Sequence, residues 1–169
     1  MDTDVMDKID GIREQWRREK PHMDTAPMAL IGRIRRYAQF LGQEMAQTFA
    51  AHGLNGAGFD VLATLRRSGP PYALSPGELI EATMVTSGTM TNRIDQLIKA
   101  GLVERRRNPQ DGRGAVIALT EQGRSTIDVA LEDHAATQAR LVASFSPDER
   151  EMLNALMRKG LESLDPASR

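Results

Sequence analysis

Residues 103–120 read VERRRNPQDGRGAVIALT. Three consecutive arginines, Arg105, Arg106 and Arg107, lead into NPQDGRG, a run of turn-forming residues, and AVIAL then follows with β-branched Val116 and Ile117. The pattern predicts a β-hairpin, with Leu102 to Arg107 running outward and Ala115 to Leu119 returning. The formal net charge of the whole chain is only -1. So local a concentration of cation therefore requires a local anionic partner or a local structural reason.

The residues immediately upstream supply the context. In LSPGEL, Ser75 is placed to cap a helix, Pro76 suits its first position, and Glu78 can return a hydrogen bond to the cap. A short helix from Pro76 to about Thr83 is expected. In TSGTMTNRIDQLIKAGL, Thr86 or Ser87 can cap a second helix. Met90, Ile94, Leu97 and Ile98 form its inward stripe, and Gly101 provides a left-handed stop. Two short helices joined by a tight turn make a helix-turn-helix, and with the hairpin they make a winged helix.

Longer helices flank this centre. Val5, Ile9, Ile12 and Trp16 form an apolar stripe over residues 4–18, and Ile31, Ile34, Ala38, Leu41, Met45 and Phe49 form another. A short helix is expected from Phe59 to Leu65. After the hairpin, Thr120 caps a long helix carrying Ile127, Leu131, Ala135, Gln138, Leu141 and Val142. SPDE at Ser146 to Glu149 repeats the capping box before a last helix. The expected fold is mainly α with a small β-hairpin wing. Its parts are N-terminal helices over 1–53, a winged helix-turn-helix over 54–120 and C-terminal helices over 121–169. The outer helices carry more apolar stripe than one small domain needs, which suits packing against a second copy.

Charge separates the same regions. From Thr86 to Gly114 the bases Arg93, Lys99, Arg105, Arg106, Arg107 and Arg113 outnumber Asp95, Glu104 and Asp111, whereas Thr120 to Arg169 holds nine acids against six bases. A helix in the major groove of DNA reads base edges with polar side chains, and cations meet the phosphates. Ser87, Thr89, Thr91, Asn92 and Arg93 supply such groups on the second short helix, and Arg106 and Arg107 adjoin them. Arg113, between Gly112 and Gly114, can enter a narrow minor groove, with Asp111 bracing the loop. The alternative is a solvated helix face beside a strand edge whose charges discourage edge-to-edge pairing.

The segment SGTMTNRIDQLIKAGLVERRRNPQDGRGAVIALTEQGR resembles the winged-helix region of the MarR family of transcriptional regulators. The likeness includes the D-x-R-G wing tip at Asp111 to Gly114 and the LTEQG that opens the next helix. It extends over residues 28–164. It implies a homodimer with interlocking N- and C-terminal helices, binding a pseudo-palindromic double-stranded operator and usually repressing a neighbouring gene. A narrower resemblance, to the urate-responsive branch, rests on the added N-terminal helix and on Trp16, Asp60, Arg93 and Arg105. It implies that Trp16 stacks on a small anionic aromatic ligand such as urate or xanthine and that Arg105 neutralises it. Asp60 then hydrogen-bonds the ligand or is repelled by it, and Arg93 couples the pocket to the reading helix. Taken alone, Trp16 equally suits packing, Asp60 suits the first turn of its helix, and Arg105 suits a phosphate contact.

Other classes find little support. The chain has no Cys, which removes thiolate metal sites, cysteine nucleophiles and disulfides. His22, His52 and His134 fall in no zinc-binding spacing, and neither G-x-S-x-G nor a phosphate-cradling glycine loop occurs. No catalytic residue, metal or cofactor is expected. The charged N-terminus and the absence of a long apolar run point to a cytoplasmic protein without a membrane span. The competing reading is a helical dimerisation adaptor that binds another protein, and it leaves the arginine-rich hairpin unexplained.

Overall fold

In the computed structural model, residues 6–83, 87–108 and 114–164 are described, without the side chains of 87 and 88. The chain falls into two compact units, Met1–Glu44 and Met45–Arg169, with the division inside a long helix.

The first unit holds α1 (Lys8–Glu19) and the N-terminal part of α2 (Ala26–Ala51). Asp7 starts α1: its carboxylate accepts from the amides of Ile9 and Asp10, and the Asp10 side chain accepts from the Asp7 amide. Arg33 on α2 donates to Asp7 at 2.9 Å and pairs with Asp10 at 2.7 Å, clasping the two helices. These bonds favour the charged carboxylate and lower the Asp7 pKa to about 2. The expected helix over residues 4–18 thus begins at Lys8, and residues 4 and 5 lie outside the described residues.

The second unit continues from the end of α2 through α3 (Gly56–Arg67), β1 (Ala73–Leu74), α4 (Pro76–Thr83), α5 (Ser87–Lys99), β2 (Val103–Arg107), β3 (Ala115–Leu119), α6 (Glu121–Leu141) and α7 (Pro147–Leu164). Helix α3 starts three residues before the expected Phe59, because the Asn55 side chain accepts from the Gly58 amide and draws Gly56 and Ala57 into the first turn. Asp60 consequently lies in the second turn, not the first. The cap expected at Ser75 is present: the Glu78 carboxylate accepts from both the amide and the hydroxyl of Ser75 at 2.7 Å, which lowers the Glu78 pKa. The Ser146–Glu149 box is present as well.

The expected hairpin pairs antiparallel, with Val103 opposite Leu119 and Arg107 opposite Ala115. Strand β3 is central in a three-stranded sheet, because β1 pairs on its other edge, Ala73 opposite Ala118. Around it Val61, Leu62, Leu65, Leu79, Met90, Ile94, Val103, Ile117 and Ile127 form a nearly water-free core. The inward side of α6 runs through Ile127, Ala130, Leu131 and His134. The expected Ala135 and Gln138 are exposed.

The chain entering the wing and the chain leaving it meet at one point. Thr120 caps α6 by accepting from the Gly123 amide at 2.9 Å, donates its hydroxyl to the Gly101 carbonyl at 2.7 Å, and sends its own amide to the Leu102 carbonyl at 3.2 Å. Gly101 itself has φ 71°, the left-handed stop of α5. A Cβ on Gly123 would lie 1.8 Å from the Leu102 carbonyl oxygen and 2.8 Å from its carbon. Both are backbone atoms and cannot swing away, so Gly123→Ala should destabilise the protein by about 3 kcal/mol or more. Chemical denaturation of the two proteins measures this, and a loss below about 1 kcal/mol would show that the crossing yields easily.

Candidate nucleic-acid interface

Helix α5 is two-sided. Met90, Ile94 and Leu97 are at most 5% exposed, while Thr89, Thr91, Asn92, Asp95 and Gln96 face outward. The apolar positions are spaced four and three apart and pin the helix to the core, so the polar residues between them are held outward on a rigid element. Ser87 is the first residue of α5, and its side chain lies outside the described residues. Residues 84–86, expected to form the tight turn of the helix-turn-helix, are also outside them.

Strand β2 leads directly away from α5 and divides its arginines between partners. Arg105 donates to Asp95 of α5 at 3.0 Å, and Arg106 donates to Glu104 at 2.8 Å. Alternate strand residues face opposite sides, which is why neighbouring arginines find different acids. Arg107 is exposed at the outer end of the strand. Asp111 and Arg113, expected to brace and to tip the wing, lie outside the described residues. Asp95 and Glu104 thus pair with Arg105 and Arg106, roles that the sequence does not assign to them.

Arg93 differs from the exposed residues beside it. Its Nη1 is buried without a hydrogen-bond partner among the described residues. The side chain lines a cavity of about 160 Å³ together with Asn55, Gly58, Gln96, Leu97 and Leu102. Asp60 is exposed on α3. No hydrogen bond or ion pair joins Asp60, Arg93 and Arg105 to one another among the described residues. Trp16 belongs to the first unit, on α1, and is 39% exposed. Its indole is therefore neither free in solvent nor packed away, and α1 buries none of its residues.

A second feature escaped the sequence reading. The His134 ring of α6 lies 4.8 Å from the Phe59 ring and 5.2 Å from the Phe49 ring, and those two stack at 4.3 Å. Its Nδ1 is buried without a hydrogen-bond partner among the described residues. Burial among the rings lowers the His134 pKa, opposed by the negative charge of Asp60. The unfolded chain therefore takes up a proton more readily than the folded one. Stability is fully present above the ordinary imidazole value, near 6.5, and declines as pH falls below it toward the depressed folded value. Replacing the ring by His134→Phe should flatten that part of the stability curve, measured by thermal melts between pH 5 and 7.5. An unchanged slope would assign the effect to another group.

Among the described residues no cluster of three or more His, Cys, Asp or Glu could hold a metal ion, and no helix is long and apolar enough to cross a membrane.

Three comparisons give this geometry its context. Residues 52–114 match the family model described as MarR family. The HTH-type transcriptional regulator PecS of Dickeya dadantii is 35% identical over 150 residues, covering 89% of this chain and 90% of that protein. Among solved structures, a mutant MarR from E. coli complexed with operator DNA aligns with a TM-score of 0.70 at 26% identity, over 82% of this chain and 99% of that one. BpsR from Bordetella bronchiseptica, in a structure addressing regulation of its DNA binding by 6-hydroxynicotinic acid, aligns at 0.68 and 25% identity over 82% and 96%. The chain belongs to the MarR family of winged helix-turn-helix transcriptional regulators. It is accordingly a DNA-binding regulator and not an enzyme.

Proposed function

We propose that the protein is a homodimeric repressor of the cytoplasm that binds a pseudo-palindromic operator and leaves it when a small anionic aromatic ligand binds. The observation that carries the DNA-facing assignment is α5 itself, with Met90, Ile94 and Leu97 buried and Thr89, Thr91 and Asn92 outward beside an arginine-rich strand. In this reading Ser87, Thr89, Thr91 and Asn92 meet base edges from α5, and Arg93 stands at the same helix. Arg106 and Arg107 meet phosphates. Arg113 enters the minor groove from a wing tip braced by Asp111. The working division is N-terminal helices over 1–53, the reading domain over 54–120 and C-terminal helices over 121–169.

Uncovered apolar surface supports dimerisation. Helix α7 buries no residue, and Met152, Leu156, Leu161 and Leu164 on it are 56–74% exposed. A second copy covering such faces would set two α5 helices roughly 34 Å apart, one turn of duplex.

For the ligand, Trp16 offers an aromatic face, Arg105 a planar pair of donors, Asp60 a charge that accepts from the ligand or is repelled by it, and Arg93 a buried, unpartnered guanidinium nitrogen on the reading helix. Urate and xanthine fit this chemistry. Regulation of BpsR DNA binding by an aromatic acid supports the class of ligand.

The test begins by enriching a duplex from a random pool with the wild-type protein. Asn92→Ala should weaken binding to that duplex about tenfold or more, and Arg107→Ala should reduce the slope of affinity against salt by about one. Failure to enrich any duplex would favour the protein-binding adaptor. Trp16 is the sole tryptophan, so its fluorescence reports ligand without a label. Saturable quenching by urate or xanthine, weakened in Asp60→Ala, is expected. Saturation by salicylate alone would move the ligand to another aromatic acid.

A further inference from the structure

Asp95 is out of place on a helix that faces a polyanion. It follows Thr91 by four residues and Asn92 by three, so it shares their face of α5, and its side chain is 51% exposed. Double-stranded DNA carries one negative charge per roughly 1.7 Å of axis, and a bare carboxylate within a Debye length of about 8 to 10 Å is repelled by several phosphates at once. Yet Asp95 is covered: Arg105 Nη2 lies 3.0 Å from its Oδ1, and among the described residues Arg105 is the cation that reaches it. The pair joins α5 to β2 across ten residues of chain.

Stability is a poor explanation for this pair. Half-exposed ion pairs contribute little to folding, and α5 is already held by the buried Met90, Ile94 and Leu97. The charge balance on the reading face is the larger matter.

We propose that Arg105 is a mask: it neutralises Asp95 so that α5 can approach DNA, and withdrawing it leaves a carboxylate that repels the phosphates. Asp95 is thus a positioning residue for DNA affinity that acts through its charge, and Arg105 touches Asp95, not phosphate. The inference rests on the reading of α5 as the DNA-facing helix. It also gives the ligand assigned to Arg105 a means of action. An anion that takes the guanidinium unmasks Asp95, and ligand and DNA then oppose each other by charge, each weakening the other equally.

The experiment needs no ligand, so an error about the ligand leaves it intact. Affinity for the enriched duplex is measured at about 50 mM salt for wild type, Arg105→Gln, Asp95→Asn, the double variant and Asn92→Ala, with thermal melts confirming that each is folded. Arg105→Gln should bind about tenfold more weakly, since it bares the carboxylate. Asp95→Asn alone should bind as tightly as wild type or more so. The double variant should recover most of what Arg105→Gln lost, because no charge is left to mask. A double variant as weak as Arg105→Gln would overturn the mask and make Arg105 a direct phosphate contact. Asp95→Asn as weak as Arg105→Gln would overturn it too, reducing the pair to a strut. Should Asn92→Ala bind like wild type, α5 does not face the duplex, and the inference fails together with the reading beneath it. A weakened Asn92→Ala without rescue in the double variant fails the mask alone.

Discussion

The end of α5 and the start of the wing are placed by the close approach of the first turn of α6 to Leu102. At that point Gly101 ends α5, Leu102 opens the path to β2, and Thr120 and Gly123 carry the chain from β3 into α6. Because a Cβ on Gly123 would collide with the Leu102 backbone, the approach exists only with glycine there. Reading helix, wing and α6 therefore leave a single anchor. The start of α6 and the end of α5 are joined there by the Thr120 hydroxyl on the Gly101 carbonyl and the Thr120 amide on the Leu102 carbonyl. The LTEQG motif has a physical meaning on these terms: Thr120 satisfies the helix start and the preceding turn together, and Gly123 permits the crossing.

Upon that frame the charges are arranged in opposition. The net charge is only -1, and even within the basic segment Arg105 is held by Asp95 and Arg106 by Glu104. A patch assembled in this way is less sticky toward DNA in general than the sequence suggests. Its affinity can also be tuned by whatever competes for its arginines.

How much of this was legible in the sequence depended on how local the cause was. The capping boxes at Ser75–Glu78 and Ser146–Glu149, the stop at Gly101 and the two strands of the hairpin all follow from residues within a few positions of each other. Strand β1 was missed because two residues have no periodicity; Ala73 and Leu74 are a strand only because β3 is beside them. Helix α3 was read short because Gly56 and Gly58 look like loop until Asn55 is seen capping them. On α6 the apolar stripe was drawn through Ala135, yet His134 turns inward, since two stacked phenylalanines from other elements make a pocket that accepts an imidazole. The pairing of Arg105 with Asp95 depends on how β2 leaves α5, which no spacing encodes.

The same distinction bears on how the proposed release works. A ligand can shift DNA affinity only by as much as it prefers one state over the other, and tenfold requires about 1.4 kcal/mol of preference. A ligand that acted by deforming the core of Leu62, Leu65, Leu79 and Ile117 would have to repack buried side chains, each of which resists displacement. Drawing one half-exposed guanidinium from one carboxylate to another anion asks only for an exchange of partners of similar strength, in water, at the surface. The exchange leaves the packed core in place, and the ligand must prefer the DNA-free state by as much as it weakens DNA binding. The proposed charge exchange at Arg105 for that reason asks less of a ligand than repacking the core would.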